Sequence, residues 1–298
     1  MQLSRSKPDE LLIWLYVTIE KYFAQTELPL YTERFSNNRL PYLTDAELFT
    51  SAIFPVLMGY PIRKEGYRYL CRHYRSWFPA FPTYEVWNRR LNRDHEALAY
   101  LFNLILRRFA PQVACEFVVD TFPVVVCQAQ HSYRSRAAQP FVSKGYCAAK
   151  KKYYIGAKVE IVTARRAGQL PMPFGYFIAT AKTHDLPLAE DTLTDLSGVV
   201  LYGDKAYIDQ TFQLQLFDQH TELIVPVKKK KNQPPLGLFD QAFNTLHAST
   251  RQPVECLVSW INNKTDIEDA SKVRSVNGLF ATIALKMIAA LIMLIFNL

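Results

Sequence analysis

Residues 117–126, FVVDTFPVVV, set one carboxylate inside an otherwise apolar and largely β-branched run. A run of that composition predicts a strand covered on both faces. An unpaired charge held there is costly or shifts its pKa, so Asp120 requires a compensating partner. The local alternative is an aspartate capping a turn ahead of Pro123, and the rest of the chain decides between the two.

At 298 residues, with 49% hydrophobic and 21% charged side chains, the chain has the length and composition of a globular protein, one large domain with a smaller one. Its 35 Lys+Arg against 27 Asp+Glu leave a net charge of +8, which favours a polyanionic partner. The five cysteines, at 71, 115, 127, 147 and 256, are odd in number and never spaced CxxC, so the expectation is a reduced, cytoplasmic chain without structural zinc. The first residues, MQLSRSKPDELLIWLYV, are too charged for a secretory signal and read as an amphipathic helix. The C-terminal run GLFATIALKMIAALIMLIFNL is almost long enough to span a bilayer. Lys286 sits in its middle, where a charge costs about 2.5–3.5 kcal/mol on insertion scales. The expectation is therefore a buried terminal helix packed on the sheet, with Lys286 at its edge, and no membrane partner.

Residues 1–110 read as helices. Thr44-x-x-Glu47 is a capping-box pattern and Gly59 a helix stop; one helix covers KEGYRYLCRHYRSWF and another runs from Thr83 to Pro111. Their faces carry arginines, among them Arg89, Arg90 and Arg93, and make 1–110 the expected DNA-binding region. From about residue 115 the period changes. YYIGAKVEIVTA alternates, which puts Ile155, Ala157, Val159 and Ile161 on one face and Lys158 and Glu160 on the other. A hairpin through RRAGQLP leads to FGYFIAT. Then come a short helix at 187–196, the strand VVLYGD, a helix at 207–218, the strand ELIVPV, a lysine-rich loop, and helix again from about 250. Strands followed by alternating helix and strand imply a mixed sheet flanked by helices.

Asp204 repeats the anomaly of Asp120, closing the apolar run VVLYGD ahead of Lys205. If the two strands are parallel neighbours, both carboxylates fall at the carboxyl end of the sheet, where open α/β sheets place their sites. Two close acids repel unless a cation lies between them, and oxygen ligands without His or Cys suit Mg²⁺ or Mn²⁺.

The ordered set VVDTFPVVVC, KGYCAAKKKYYIGAKVEIV, LYGDKAY and RQPVECLVSWI resembles the DDE-type transposases of bacterial insertion sequences, most closely the group numbered 982. The resemblance runs from about residue 40 to the C-terminus. It implies an RNase H-like catalytic domain over 111–298 and three acidic metal ligands, at Asp120, Asp204 and Glu255, holding two Mg²⁺ or Mn²⁺ ions. It further implies a chain that cuts double-stranded DNA at terminal inverted repeats and joins the 3′ ends to target DNA, working as a homodimer. The neighbours Val254, Leu257, Val258 and Ile261 predict that the Glu255 face looks inward, with Arg251 one turn earlier. Glu268 and Asp269 are the alternatives for the third ligand. Related groups carry a Tyr and a Lys where this chain has Ala248 and Ile261, with Lys264 as a stand-in, so a further phosphate-binding role for that helix is not implied.

For DNA contact the sequence offers Lys144, Lys150, Lys151, Lys152 and Tyr153, where lysines interleave with tyrosines, together with Lys205 and Arg251. The run Lys228, Lys229 and Lys230 either binds DNA or forms a solvated loop. His184-Asp185, between the third strand and a helix, either approaches the site or, the favoured reading, caps the helix. Arg134 and Arg136 either bind phosphate or solubilise a loop.

Overall fold

A computed structural model describes residues 3–34, 41–109, 114–128, 136–147, 150–193, 196–229 and 233–298. The chain divides into two compact units, one of residues 1–110, 134–140 and 261–298, the other of 111–133 and 141–260. The sequence reading set one division at residue 110 and put all of 111–298 in a single domain. The C-terminal part differs, because residues 261–298 join the helical unit rather than the sheet.

The helical unit holds α1 (Pro8–Gln25), α2 (Asp45–Leu57), α3 (Arg63–His73), α4 (Tyr84–Arg93), α5 (His95–Phe109) and α9 (Val276–Phe296). At the start of α2 the Thr44 hydroxyl accepts from the Glu47 amide and the Glu47 carboxylate accepts from the Thr44 amide, so the capping box forms as the sequence predicts. Gly59 has φ +89°, which a side chain would strain. The helix expected from Thr83 to Pro111 is broken into α4 and α5 at Asp94, and the Thr83 side chain makes no cap hydrogen bond.

α9 is long and apolar enough to cross a membrane by length and composition, yet 78% of its most apolar stretch is buried inside the protein. It packs against α2, α4 and α5. That explains its unbroken hydrophobicity: a helix surrounded by other helices has no polar face to show. The expectation that it covers the sheet is therefore corrected, and so is the expectation for Lys286. Its ammonium is buried and donates to the backbone carbonyls of Asp266 and Asp269, at 2.5 and 3.1 Å.

The second unit is a six-stranded sheet of β1 (Glu116–Gln128), β2 (Ser143–Cys147), β3 (Lys152–Ala164), β4 (Met172–Thr180), β5 (Val200–Tyr202) and β6 (Glu222–Ile224). With it go α6 (Asp185–Thr192), α7 (Gln210–Asp218) and most of α8 (Leu238–Thr265). The spatial order is β4-β3-β1-β5-β6, and β2 extends the far edge of β3 beyond β4. β1 runs antiparallel to β3 and parallel to β5, and β5 is parallel to β6. Gly156 on β3 lies against β1, where a Cβ would sit 2.0 Å from the Val124 carbonyl oxygen, so the approach of the two strands requires glycine.

β3 departs from its expected one-sided alternation. Ile155, Ala157, Val159 and Ile161 are buried as predicted, but so are Val162, Thr163 and, fully, Glu160. The strand is central and α6 and α7 cover its other face: Phe117, Val119, Val162, Ala189, Leu201, Tyr207, Phe212 and Leu216 form one apolar cluster there. α8 begins at Leu238, about a dozen residues before the helix the sequence predicts, and carries Pro253 in its interior instead of its first turn.

Candidate active site

The register of β1 and β5 builds the site. Val118 pairs with Tyr202, so Asp120 and Asp204 each lie two residues farther along neighbouring parallel strands. This is the juxtaposition expected from the two anomalous aspartates. Asp204 stands at the end of β5, where its Oδ1 accepts from the Ala206 amide at 2.6 Å and starts a one-turn 3-10 helix, Lys205–Tyr207. Asp120 lies inside β1, and alternation along the strand separates its surroundings from those of Thr121. Asp120 meets α8, where Arg251 Nη2 donates to its Oδ1 at 3.2 Å. Thr121 meets α6, where its hydroxyl donates to Asp185 at 3.2 Å.

The partner that the buried Asp120 carboxylate requires is thus Arg251. Burial pushes Asp120 up to about 6. Arg251 and the Thr121 amide hold it down, while Asp204 and Glu255 push it further up. Both of those carboxylates therefore act on Asp120 through space.

His247, Arg251 and Glu255 follow one another at intervals of four on α8, and so form one stripe. His247 is buried, with Nε2 3.2 Å from the Ile224 carbonyl oxygen at the end of β6. Burial lowers its pKa, which keeps the imidazole neutral. Glu255 itself is exposed, although its neighbours Val254, Leu257 and Ile261 are buried. The inward face predicted for this helix holds for those apolar residues and not for the Glu255 carboxylate. Glu268 and Asp269, the alternatives, belong to the helical unit.

Two buried groups escaped the sequence reading. Glu160 is fully buried and accepts from the hydroxyls of Thr192 and of Tyr207, the latter at 3.1 Å. Burial raises it to about 7 against the pull of those hydrogen bonds. Tyr207 in turn is pushed well up by burial and by Glu160. Because Tyr207 ends the turn that Asp204 begins, Glu160 anchors that turn. Lys158 donates to Asp185 at 2.7 Å and to the Thr183 carbonyl at 2.8 Å. Asp185 thus joins Lys158 to Thr121, and His184, expected to cap α6, makes no side-chain cap bond.

Carboxylate oxygens at Asp120, Asp204 and Glu255, with no sulfur among them, are the donor chemistry of a hard divalent cation. Their spacing as it stands does not gather them: among the described residues no three His, Cys, Asp or Glu side chains are close enough to hold a metal ion together. Arg251 is the cation seated against Asp120.

The basic residues fall into three groups. On the β2–β3 hairpin, Lys144 lies 4.7 Å from the ring centre of Tyr153, and Tyr153 packs on Tyr146 with ring centres 4.9 Å apart. Both tyrosines are more than half exposed, and Lys150, Lys151 and Lys152 are exposed around the turn. Lys205, Lys228 and Lys229 are exposed; Lys230 and Arg134 lie outside the described residues. In the helical unit Arg89 is exposed, but Arg90 is corrected: it is buried, donating to the Leu43 carbonyl at 2.8 Å and to Asp45 at 2.7 Å. Position on the helix decides this, since Arg90 and the buried Trp87 are three residues apart and share a face.

The site thus sets one acid within β1, one just past the end of the parallel β5 and a third on α8. Residues 111–292, more than half of the chain, match the family model described as the transposase DDE domain, so the chain belongs to that family. A similar solved structure is the cryo-EM structure of a piggyBac transposase synaptic complex with hairpin DNA, at 12% identity and a TM-score of 0.48, covering 95% of this chain and 74% of that one. Among curated proteins none matches.

Proposed function

We propose that this protein is the transposase of an insertion sequence of the group numbered 982, cutting DNA at the element's terminal inverted repeats and joining the 3′ ends to target DNA. The observation that carries this is that Asp120 on β1 and Asp204, just past the end of the parallel neighbour β5, each lie two residues beyond the Val118–Tyr202 pair, in a chain of the DDE family. The strand order β4-β3-β1-β5-β6, antiparallel for three strands and parallel for the last two, supports an RNase H-like reading of the sheet.

In this reading Asp120, Asp204 and Glu255 would hold two Mg²⁺ or Mn²⁺ ions. Such ions activate the attacking water or 3′-hydroxyl and stabilise the leaving oxygen. The chain's own groups do the rest. Arg251 neutralises Asp120 in the ion-free state and, once released, is a guanidinium beside the reacting phosphate. Glu160, through Tyr207, fixes the turn that carries Asp204. The exposed tyrosines and lysines of the β2–β3 hairpin offer stacking faces and charge to DNA, with Lys205, Lys228 and Lys229 adding charge. No covalent protein nucleophile is required.

The rival reading is a catalytically idle DNA-binding descendant. Cleavage of DNA carrying the terminal repeats, with and without Mg²⁺, decides between them. The parent should nick at the repeat ends only with metal, and Asp120→Asn should not nick at all. A parent that binds the repeats but never cuts them would favour the rival.

A further inference from the structure

The helical unit has a cleft of about 420 Å³, in the size range of small-molecule sites. Six cations line it, Arg63, Lys64, Arg68, Lys272, Arg274 and Lys286, against three acids, Glu65, Asp266 and Asp269. Two of these cations are held in an unusual way. Arg63 spends its guanidinium on neutral acceptors: Asn88 Oδ1 at 2.9 Å, Asn92 Oδ1 at 2.6 Å, the Gly278 carbonyl at 2.9 Å and the Thr282 hydroxyl at 2.7 Å. Its Nε is buried without a hydrogen-bond partner. Lys286 is bonded only to the two backbone carbonyls of the turn after α8.

Among the described residues, neither cation has a carboxylate within ion-pair distance. Burial lowers both, Arg63 to about 10 and Lys286 to about 8; the Asp266 and Asp269 carboxylates pull Lys286 back up, and the proximity of Arg63 pushes it down. Two like charges set close together with no carboxylate in contact are costly, and an anion from outside the chain would offset that cost. Arg68 and Lys272 stand at the same cleft, also without a carboxylate partner among the described residues. Ser275 and Gly278 place the first turn of α9 at its wall, so the positive end of a 21-residue helix adds to the same field.

We infer that this cleft is a phosphate-binding site, formed by α3, the segment before α9 and the buried Arg63–Lys286 pair. A tetrahedral anion matches cations that converge from several elements, and the volume leaves room for the sugar or base attached to it. The phosphate comes either from a DNA backbone, in which case the site deepens the transposase reading and rests on it, or from a free nucleotide or phosphate. Neither source uses the carboxylate site.

The test uses the full chain and the double variant Arg68→Ala/Lys272→Ala, which leaves the buried pair intact. Melting is followed in inorganic phosphate, acetate and chloride at matched ionic strength. The parent should melt several degrees higher in phosphate alone, and the variant should lose most of that rise. No phosphate-specific rise in the parent, or the same rise in the variant, overturns the inference. A second arm measures binding of a labelled duplex against salt. A slope of log K on log salt reduced by about 1–2 in the variant, at about 0.9 per phosphate contact, identifies the DNA backbone as the source. An unchanged slope together with a lost phosphate response identifies a free phosphate compound. Because the melting arm needs no DNA, it stands even if the transposase reading fails.

Discussion

Among the carboxylates, lysines and arginines, the groups that burial shifts furthest are acids in the sheet unit and bases in the helical unit, where the buried Asp94 is paired with Arg93. The sheet unit carries buried or half-buried acids, Asp120 and Glu160, both pushed above the ordinary carboxylate range by burial. The helical unit carries the half-buried Arg63 and the buried Lys286, both pushed down by burial. In each case most of the partners are hydrogen-bonding groups of the chain, and of these shifted groups only Asp120 has an ion pair, with Arg251. A domain that needed only stability would replace such groups with apolar ones. In the readings proposed above, one unit would take a cation and the other an anion.

The largest effect expected tests whether the helical unit needs its terminal helix. Deleting residues 278–298 removes sixteen buried positions of α9. At about 1.5–3 kcal/mol per large apolar side chain, that exceeds the 5–15 kcal/mol by which a domain is stable. The truncated protein should be insoluble, as should a fragment ending at residue 110, and solubility on expression reads both. A soluble, active truncation would show that α9 is not core and return the bilayer reading. Next in size are the acids. Asp120→Asn, Asp204→Asn and Glu255→Gln should each keep the fold while Mg²⁺-dependent cleavage falls by at least about 10²–10³-fold, the range for losing one pre-organised electrostatic group. If Glu255→Gln alone retains parent activity, the exposed Glu255 is not a ligand.

The contrast should also be visible in pH. Glu160 has its folded pKa raised from 4.5 to about 7, so the folded state holds this proton more tightly. Stability from this group is full below about 4.5 and is lost as pH rises through 7. Lys286 has its folded pKa lowered from 10.5 to about 8, so the unfolded state binds its proton more tightly and stability rises as pH climbs from 8 towards 10.5. Shifts of this size are worth up to roughly 3 kcal/mol each. Glu160→Gln should flatten the loss between pH 5 and 7, and Lys286→Met the gain between pH 8 and 10, in urea unfolding at each pH. A Glu160→Gln variant that follows the parent curve would mean that the acid titrates normally.

Where the sequence was legible, the signal was local or was a contradiction. The capping box at Thr44 is written within four residues, and a carboxylate in an apolar run marked Asp120 and Asp204 before any pairing was known. Glu160 was misread because strand alternation predicts only that one face differs from the other, and α6 and α7, which cover the Glu160 face of β3, come from elsewhere in the chain. Arg90 was misread for the same reason, since nothing in the order of residues says that the Leu43 carbonyl will sit beside it. The assignment of α9 to the helical unit rests on contacts between residues nearly two hundred positions apart, which no period reveals. Glu160 and Lys158 had a signal that went unused: charged residues within an apolar strand, as at Asp120.

The smallest effect concerns the one ion pair that breaks the symmetry. Asp120 and Arg251 lie 3.2 Å apart, with side chains 22% and 14% exposed. A contact of this kind should show a coupling of about 1–2 kcal/mol in a double-mutant cycle of Asp120→Asn, Arg251→Ala and both together, measured by urea unfolding in EDTA. Asp120→Asn by itself should change stability little, because it removes a buried charge and at the same time leaves Arg251 without its partner. Asp204→Asn orphans no partner of this kind and relieves a like charge acting on Asp120, so it should be at least as stable as the parent. If Arg251 holds the place that a cation takes in the working site, the Asp120–Arg251 coupling should shrink when the cycle is repeated in saturating Mg²⁺. A coupling that is the same in EDTA and in Mg²⁺ would make the pair a permanent structural bond, and Asp120 would then belong with the self-satisfied groups rather than with those arranged for a ligand.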